Sequence, residues 1–65
     1  MMPKHPWFYY KRKELGLTQK QLADKMYVSQ SAISLAENFD YRYAEPLTIR
    51  IILKQIEQEM KNNDA

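Results

Sequence analysis

Thr18 and Ser29 restrict the fold of this chain more than any other pair of residues, because each marks the start of a helix and little chain separates them. Thr18 is followed three residues later by Gln21, the spacing at which a hydroxyl and an amide satisfy each other's backbone N–H groups. Ser29 is an N-capping side chain ahead of Ala32, Ile33 and Ala36, which fall inward on one helix face. Leu22, Ala23 and Met26 give the preceding helix an apolar face of its own. The connection around Tyr27 and Val28 is too short for a flexible loop, so the two helices must pack on each other. Small Ala23 permits a close crossing, β-branched Ile33 fills it, and Val28 plugs the gap after the turn. The expected motif is a helix-turn-helix over about residues 18–38, whose simplest use in a short chain is reading DNA.

The flanks extend an all-α pattern of four or five helices. Pro6 suits a first helical turn, Trp7 to Leu15 continue it, and Gly16 stops it. Pro46 opens a last helix with Ile49, Ile52, Leu53, Ile56 and Met60 on one face. Leu47 and Ile51 lie off that stripe. Phe39 to Glu45 form an aromatic connection, and residues 1–5 and 62–65 are expected to be loose ends of a single domain. No segment alternates as a half-buried strand does.

A chain of 65 residues buries only about 60% of the surface its unfolded form exposes, so it gains from a partner subunit. It has no cysteine and one histidine, His5, which excludes disulfides and thiolate metal sites and implies neither metal nor cofactor. Its apolar runs are too short to span a membrane. Glu57 and Glu59, two apart on a helix, face different directions, and neither a nucleophile–base set nor a phosphate-cradling glycine loop is present, so no enzyme is expected.

Net charge is +2, but its distribution is more telling. Residues 1–31 carry Lys4, Lys11, Arg12, Lys13, Lys20 and Lys25 against Glu14 and Asp24, a net +4, whereas residues 32–65 carry −2. A basic N-terminal half is what phosphate neutralisation requires. The triplet Lys11-Arg12-Lys13 has two readings: phosphate contact, or a solvated helix face.

The third helix exposes Gln30, Ser31 and Ser34 where a solvated face usually carries lysine and glutamate. Gln30 is the first candidate for base contact, since its amide pairs with adenine N6 and N7, and Ser31 donates or accepts at any base. Thr18 and Ser29 have sufficient work as N-caps, worth about 1 kcal/mol each, with phosphate contact as a second role. Gln19 and Lys20 stand at a helix N-terminus, which favours anions.

The segment from Leu17 to Ser34, with Glu37-Asn38 following, closely resembles the DNA-binding domain of phage Cro and repressor proteins and the wider XRE family. The resemblance spans roughly residues 8–56 and implies a lambda-repressor-like fold. It implies base contact from the positions of Gln30, Ser31 and Leu35, and phosphate contact from Gln19, which also buttresses Gln30, and from Asn38. Arg42, with Tyr41 and Tyr43, is a further phosphate candidate. Leu35 is apolar: it either meets a thymine methyl or rests on Phe39 or Tyr43.

Four departures from the family pattern stand out. Tyr27 occupies the turn position commonly held by glycine, where a left-handed backbone costs a non-glycine residue roughly 1–2 kcal/mol. Either the turn is altered or packing of the ring offsets the strain. Ala36 replaces a large core residue and Phe39 the glycine after Asn38, so Phe39 is expected to fill the space and the third helix to run past Asn38. The link to Pro46 is about three residues longer than usual. Lys11 takes an apolar position while Trp7, Phe8, Tyr9 and Tyr10 crowd the first helix; some close the core, with Phe8 and Leu15 favoured, or some meet a second subunit.

The resemblance implies a sequence-specific regulator of Cro or immunity-repressor type, acting on double-stranded operator DNA through the major groove. Leu47 and Ile51 are candidates for a homodimer contact, and pairing only on DNA is the alternative. The expected setting is the cytoplasm of a bacterial or phage-infected cell, at the nucleoid. A protein-interaction module of antitoxin or antirepressor type, and an excisionase-like architectural factor, are the other readings.

Overall fold

The computed structural model describes residues 3–62, and within them the chain forms four α-helices and no strand. These are α1 (Trp7–Glu14), α2 (Gln19–Met26), α3 (Gln30–Ala36) and α4 (Pro46–Asn62). Of the expected loose ends, residues 1, 2 and 63–65 lie outside the described part. His5 is held against the body of the protein, and Asn62 closes α4. No helix among the described residues is long and apolar enough to cross a membrane.

Helix starts follow the sequence closely. Thr18 caps α2 with both halves of the capping box formed: Gln21 N–H donates to Thr18 Oγ1 at 3.0 Å, and Thr18 N–H to Gln21 Oε1 at 2.9 Å. Ser29 Oγ accepts from Ala32 N–H at 3.2 Å and caps α3. Pro6 stands one residue ahead of α1 rather than in its first turn, while Pro46 is the first residue of α4.

Helix ends follow a single rule. Each of α1, α2 and α3 stops in a left-handed residue: Gly16 (φ 74°), Tyr27 (φ 58°) and Phe39 (φ 66°). Beyond each, the next N–H reaches back six residues counted inclusively: Leu17 to Arg12 O, Val28 to Ala23 O, Asp40 to Leu35 O, at 2.9–3.1 Å. The left-handed residue itself donates to Lys13, Asp24 or Ala36. That is the Schellman termination, which satisfies the last carbonyls of a helix and ordinarily uses glycine. The helix-turn-helix turn is therefore unaltered at Tyr27, and the ring, 96% exposed, packs against nothing that would offset the strain.

Phe39 corrects two expectations. Its left-handed backbone ends α3 at Ala36, so the helix does not run past Asn38, and its ring is 47% exposed rather than buried in the space beside Ala36. The core instead gathers Phe8, Leu22, Ala23, Ala32, Ile33, Ala36, Ala44, Ile49, Leu53 and Ile56, with Leu15, Leu17, Met26, Val28 and Ile52 packed on it. Met60, expected on the inward stripe of α4, is 44% exposed. The long connector to α4 is fastened by buried Ala44 and by Tyr41, whose ring lies 6.3 Å from Phe8.

Candidate nucleic-acid interface

Burial sorts α3 into two sides. Ala32, Ile33 and Ala36 are buried with Leu22 and Ala23 of α2, which fixes the angle between the two helices. Gln30 and Ser31 are exposed at its N-terminal end, and Ser34 and Leu35 are half-buried along the flank. An α-helix presented in this way fits a major groove about 12 Å wide, with its first-turn side chains foremost. Leu35 keeps part of its side chain at the surface while its carbonyl accepts the N–H groups of Asn38 and Asp40.

The N-terminus of α2 brings Thr18, Gln19 and Lys20 together. Thr18 uses its hydroxyl oxygen as the cap acceptor, so its O–H remains a free donor, and Ser29 has the same property. Lys20 is exposed and has no carboxylate partner among the described residues. The Gln19 amide donates to Glu37 Oε1 at 2.9 Å, which leaves one amide hydrogen available.

Glu37 is the hub behind this surface. Its side chain is 1% exposed and receives Arg12 Nε at 2.7 Å, Arg12 Nη2 at 3.2 Å and Gln19 Nε2. Arg12 also donates through Nη1 to the Leu17 carbonyl at 2.7 Å. The Glu37 carbonyl takes the His5 Nδ1–H at 2.7 Å, and the imidazole stacks on Tyr9 with ring centres 3.9 Å apart. One carboxylate thus joins α1, the start of α2 and the end of α3, and fixes the placement of α3 relative to the other two.

The basic triplet divides: Lys11 and Arg12 are engaged within the protein, and only Lys13 is exposed. Lys11 is hydrogen-bonded to Glu57 of α4, Arg12 is buried on Glu37, and Lys13 lies over the Tyr9 ring at 5.1 Å. The hydrogen bond between Lys11 and Glu57 is the main reason that the lysine titrates above its ordinary range and the glutamate below its own.

The connector candidates are also partly engaged. Arg42 forks onto Asp40 at 2.8–3.2 Å and stacks over Tyr43, and that hydrogen bonding lowers the Asp40 pKa and raises that of Arg42. Its charge is therefore compensated within the loop. Asn38 donates one amide hydrogen to the Ser34 carbonyl at 2.9 Å, which fastens it to the end of α3.

Leu47 and Ile51 are exposed on α4, 63% and 51%. No group of His, Cys, Asp or Glu among the described residues is arranged to hold a metal ion.

Comparison with curated proteins and with solved structures returns no match. A helix-turn-helix family model matches residues 8–57, from the buried Phe8 of α1 to Glu57 of α4. That match takes in α2, α3, the capped turn and most of α1 and α4, and the chain belongs to the XRE-type helix-turn-helix family of DNA-binding regulators.

Proposed function

We propose that this protein is a small Cro-like repressor that occupies a palindromic operator as two copies. The observation that carries the reading is the polar, exposed first turn of α3, Gln30 and Ser31, on a helix whose opposite side is locked into the core. Gln30 reads adenine through its amide, Ser31 and Ser34 take neighbouring base edges, and Leu35 meets a thymine methyl. Thr18, Gln19, Lys20 and Ser29 hold the phosphates that flank the groove, with Asn38 and Arg42 at the far end of α3 as further contacts. Arg42 must exchange Asp40 for phosphate to take part, so it contributes less than Lys20.

Two copies are needed because one short helix reads few base pairs, and two-fold pairing doubles the site. Leu47 and Ile51 supply the contact between subunits. Selection from a random duplex pool tests this reading: enrichment of an inverted repeat with half-sites about one helical turn apart supports it. Enrichment of a single half-site removes the dimer from it. Recovery of no consensus removes sequence-specific reading altogether.

A further inference from the structure

The geometry points to a second binding surface: the groove between α1 and α4 beside Trp7 is a docking site for an acidic segment of another protein. Trp7, Lys11, Arg50, Leu53, Lys54 and Glu57 line it. Buried Leu53 forms its floor, and Trp7, 51% exposed, stands edge-on to Phe8 with ring centres 5.9 Å apart. The indole is thus anchored on the core while much of its surface is open.

The charges select the occupant. Lys11 is paired with Glu57 across the groove and lies 3.8 Å from Glu14 on its own helix, so its charge is fully compensated. Arg50 and Lys54, one turn apart on α4, have no carboxylate partner among the described residues. What remains is an apolar platform beside two uncompensated cations, complementary to a segment that carries carboxylates around an apolar side chain. A second copy docked two-fold on the same groove would bring the same two cations to it, so like charges would meet. None of the lining residues lies on α2 or α3, so an occupant leaves Gln30 and Ser31 uncovered. Leu47 and Ile51 do not line the groove, although Lys54 borders both the groove and Ile51.

Trp7 is the sole tryptophan of the chain and reports on the groove directly. The probe is a short synthetic helical peptide of glutamate and leucine, with a lysine–leucine analogue as control. The expected result is a saturable blue shift of Trp7 emission with the acidic peptide and none with the analogue. The Arg50→Glu/Lys54→Glu variant should weaken that binding by about tenfold or more while keeping the helical circular dichroism spectrum of wild type, since both side chains are exposed. Arg50→Gln/Lys54→Gln gives a milder second measure. Absence of a saturable shift, equal binding of the lysine analogue, or indifference to charge reversal each overturns the proposal. A shift on dilution of the free protein would assign the groove to a second copy instead. A shift with duplex DNA that charge reversal abolishes would assign it to DNA.

Discussion

Arg12 and Glu37 form a buried ion pair, Nε to Oε2 at 2.7 Å, that ties α1 to the end of α3. Both side chains are withdrawn from water, so the pair is costly to break from one side. Arg12→Met leaves a buried carboxylate uncompensated and should destabilise by about 3–5 kcal/mol. The double variant Arg12→Met/Glu37→Met should recover a large part of that loss, as urea unfolding midpoints of wild type, both single variants (Arg12→Met and Glu37→Met) and the double variant will show. Equal losses in single and double variants would mean that the pair's role is packing rather than charge.

Tyr27 and Phe39 hold left-handed backbones with side chains that gain little in return. Tyr27→Gly should raise stability by about 1 kcal/mol, since relief of the strain exceeds the added freedom of the unfolded chain. In a domain of this size that corresponds to a rise in Tm of roughly 4–8 °C. Phe39→Gly should gain less, because half of its ring surface is covered. A fall in Tm for Tyr27→Gly would contradict the exposed placement of its ring.

Both helix starts at the candidate interface are readable in the sequence, whereas the ends of α2 and α3 are not. Thr18, Gln21 and Ser29 carry their capping role in their own side chains, so their identity and spacing suffice. A Schellman end is a property of the backbone, and only Gly16 carries the residue that announces it. Tyr27 and Phe39 adopt the same geometry with aromatic side chains, which is why α3 reads as longer than it is. Arg12 is hidden for another reason: its neighbours Lys11 and Lys13 make it look like part of a charge run. Its spacing from Phe8 and Leu15, four before and three after, places it on the inward stripe of α1 and was the available signal. Gln19 was found by family resemblance, but its bond to Glu37 depends on where α3 ends.

Thr18 separates capping from phosphate contact. Aspartate caps a helix as well as threonine does but repels phosphate, so Thr18→Asp should keep the melting temperature while DNA affinity falls. Thr18→Ala should lose about 1 kcal/mol of stability through the broken capping box. If Thr18→Asp binds DNA as wild type does, the hydroxyl has a purely structural role.

The Lys11–Glu57 pair predicts a pH dependence. Glu57 titrates below its ordinary range in the folded protein, so its contribution is present above that range and lost as pH falls through the lowered folded value. Lys11 titrates above its ordinary range, so its contribution is present below that range and lost as pH rises through the raised folded value. Glu57→Gln should therefore be less stable than wild type near neutral pH, with the gap closing in strong acid. Unfolding midpoints across an acid series measure it; a constant gap would assign the loss to packing.

The central claim is that α3 reads bases through Gln30. Fluorescence anisotropy with an operator duplex obtained by selection, against a scrambled duplex and over a salt series, tests it most directly. Gln30→Ala should lose about 1–3 kcal/mol of discrimination between the duplexes, while the dependence on salt, set by Lys20 and the other phosphate contacts, stays unchanged. Equal discrimination by wild type and Gln30→Ala would contradict direct reading from the first turn of α3.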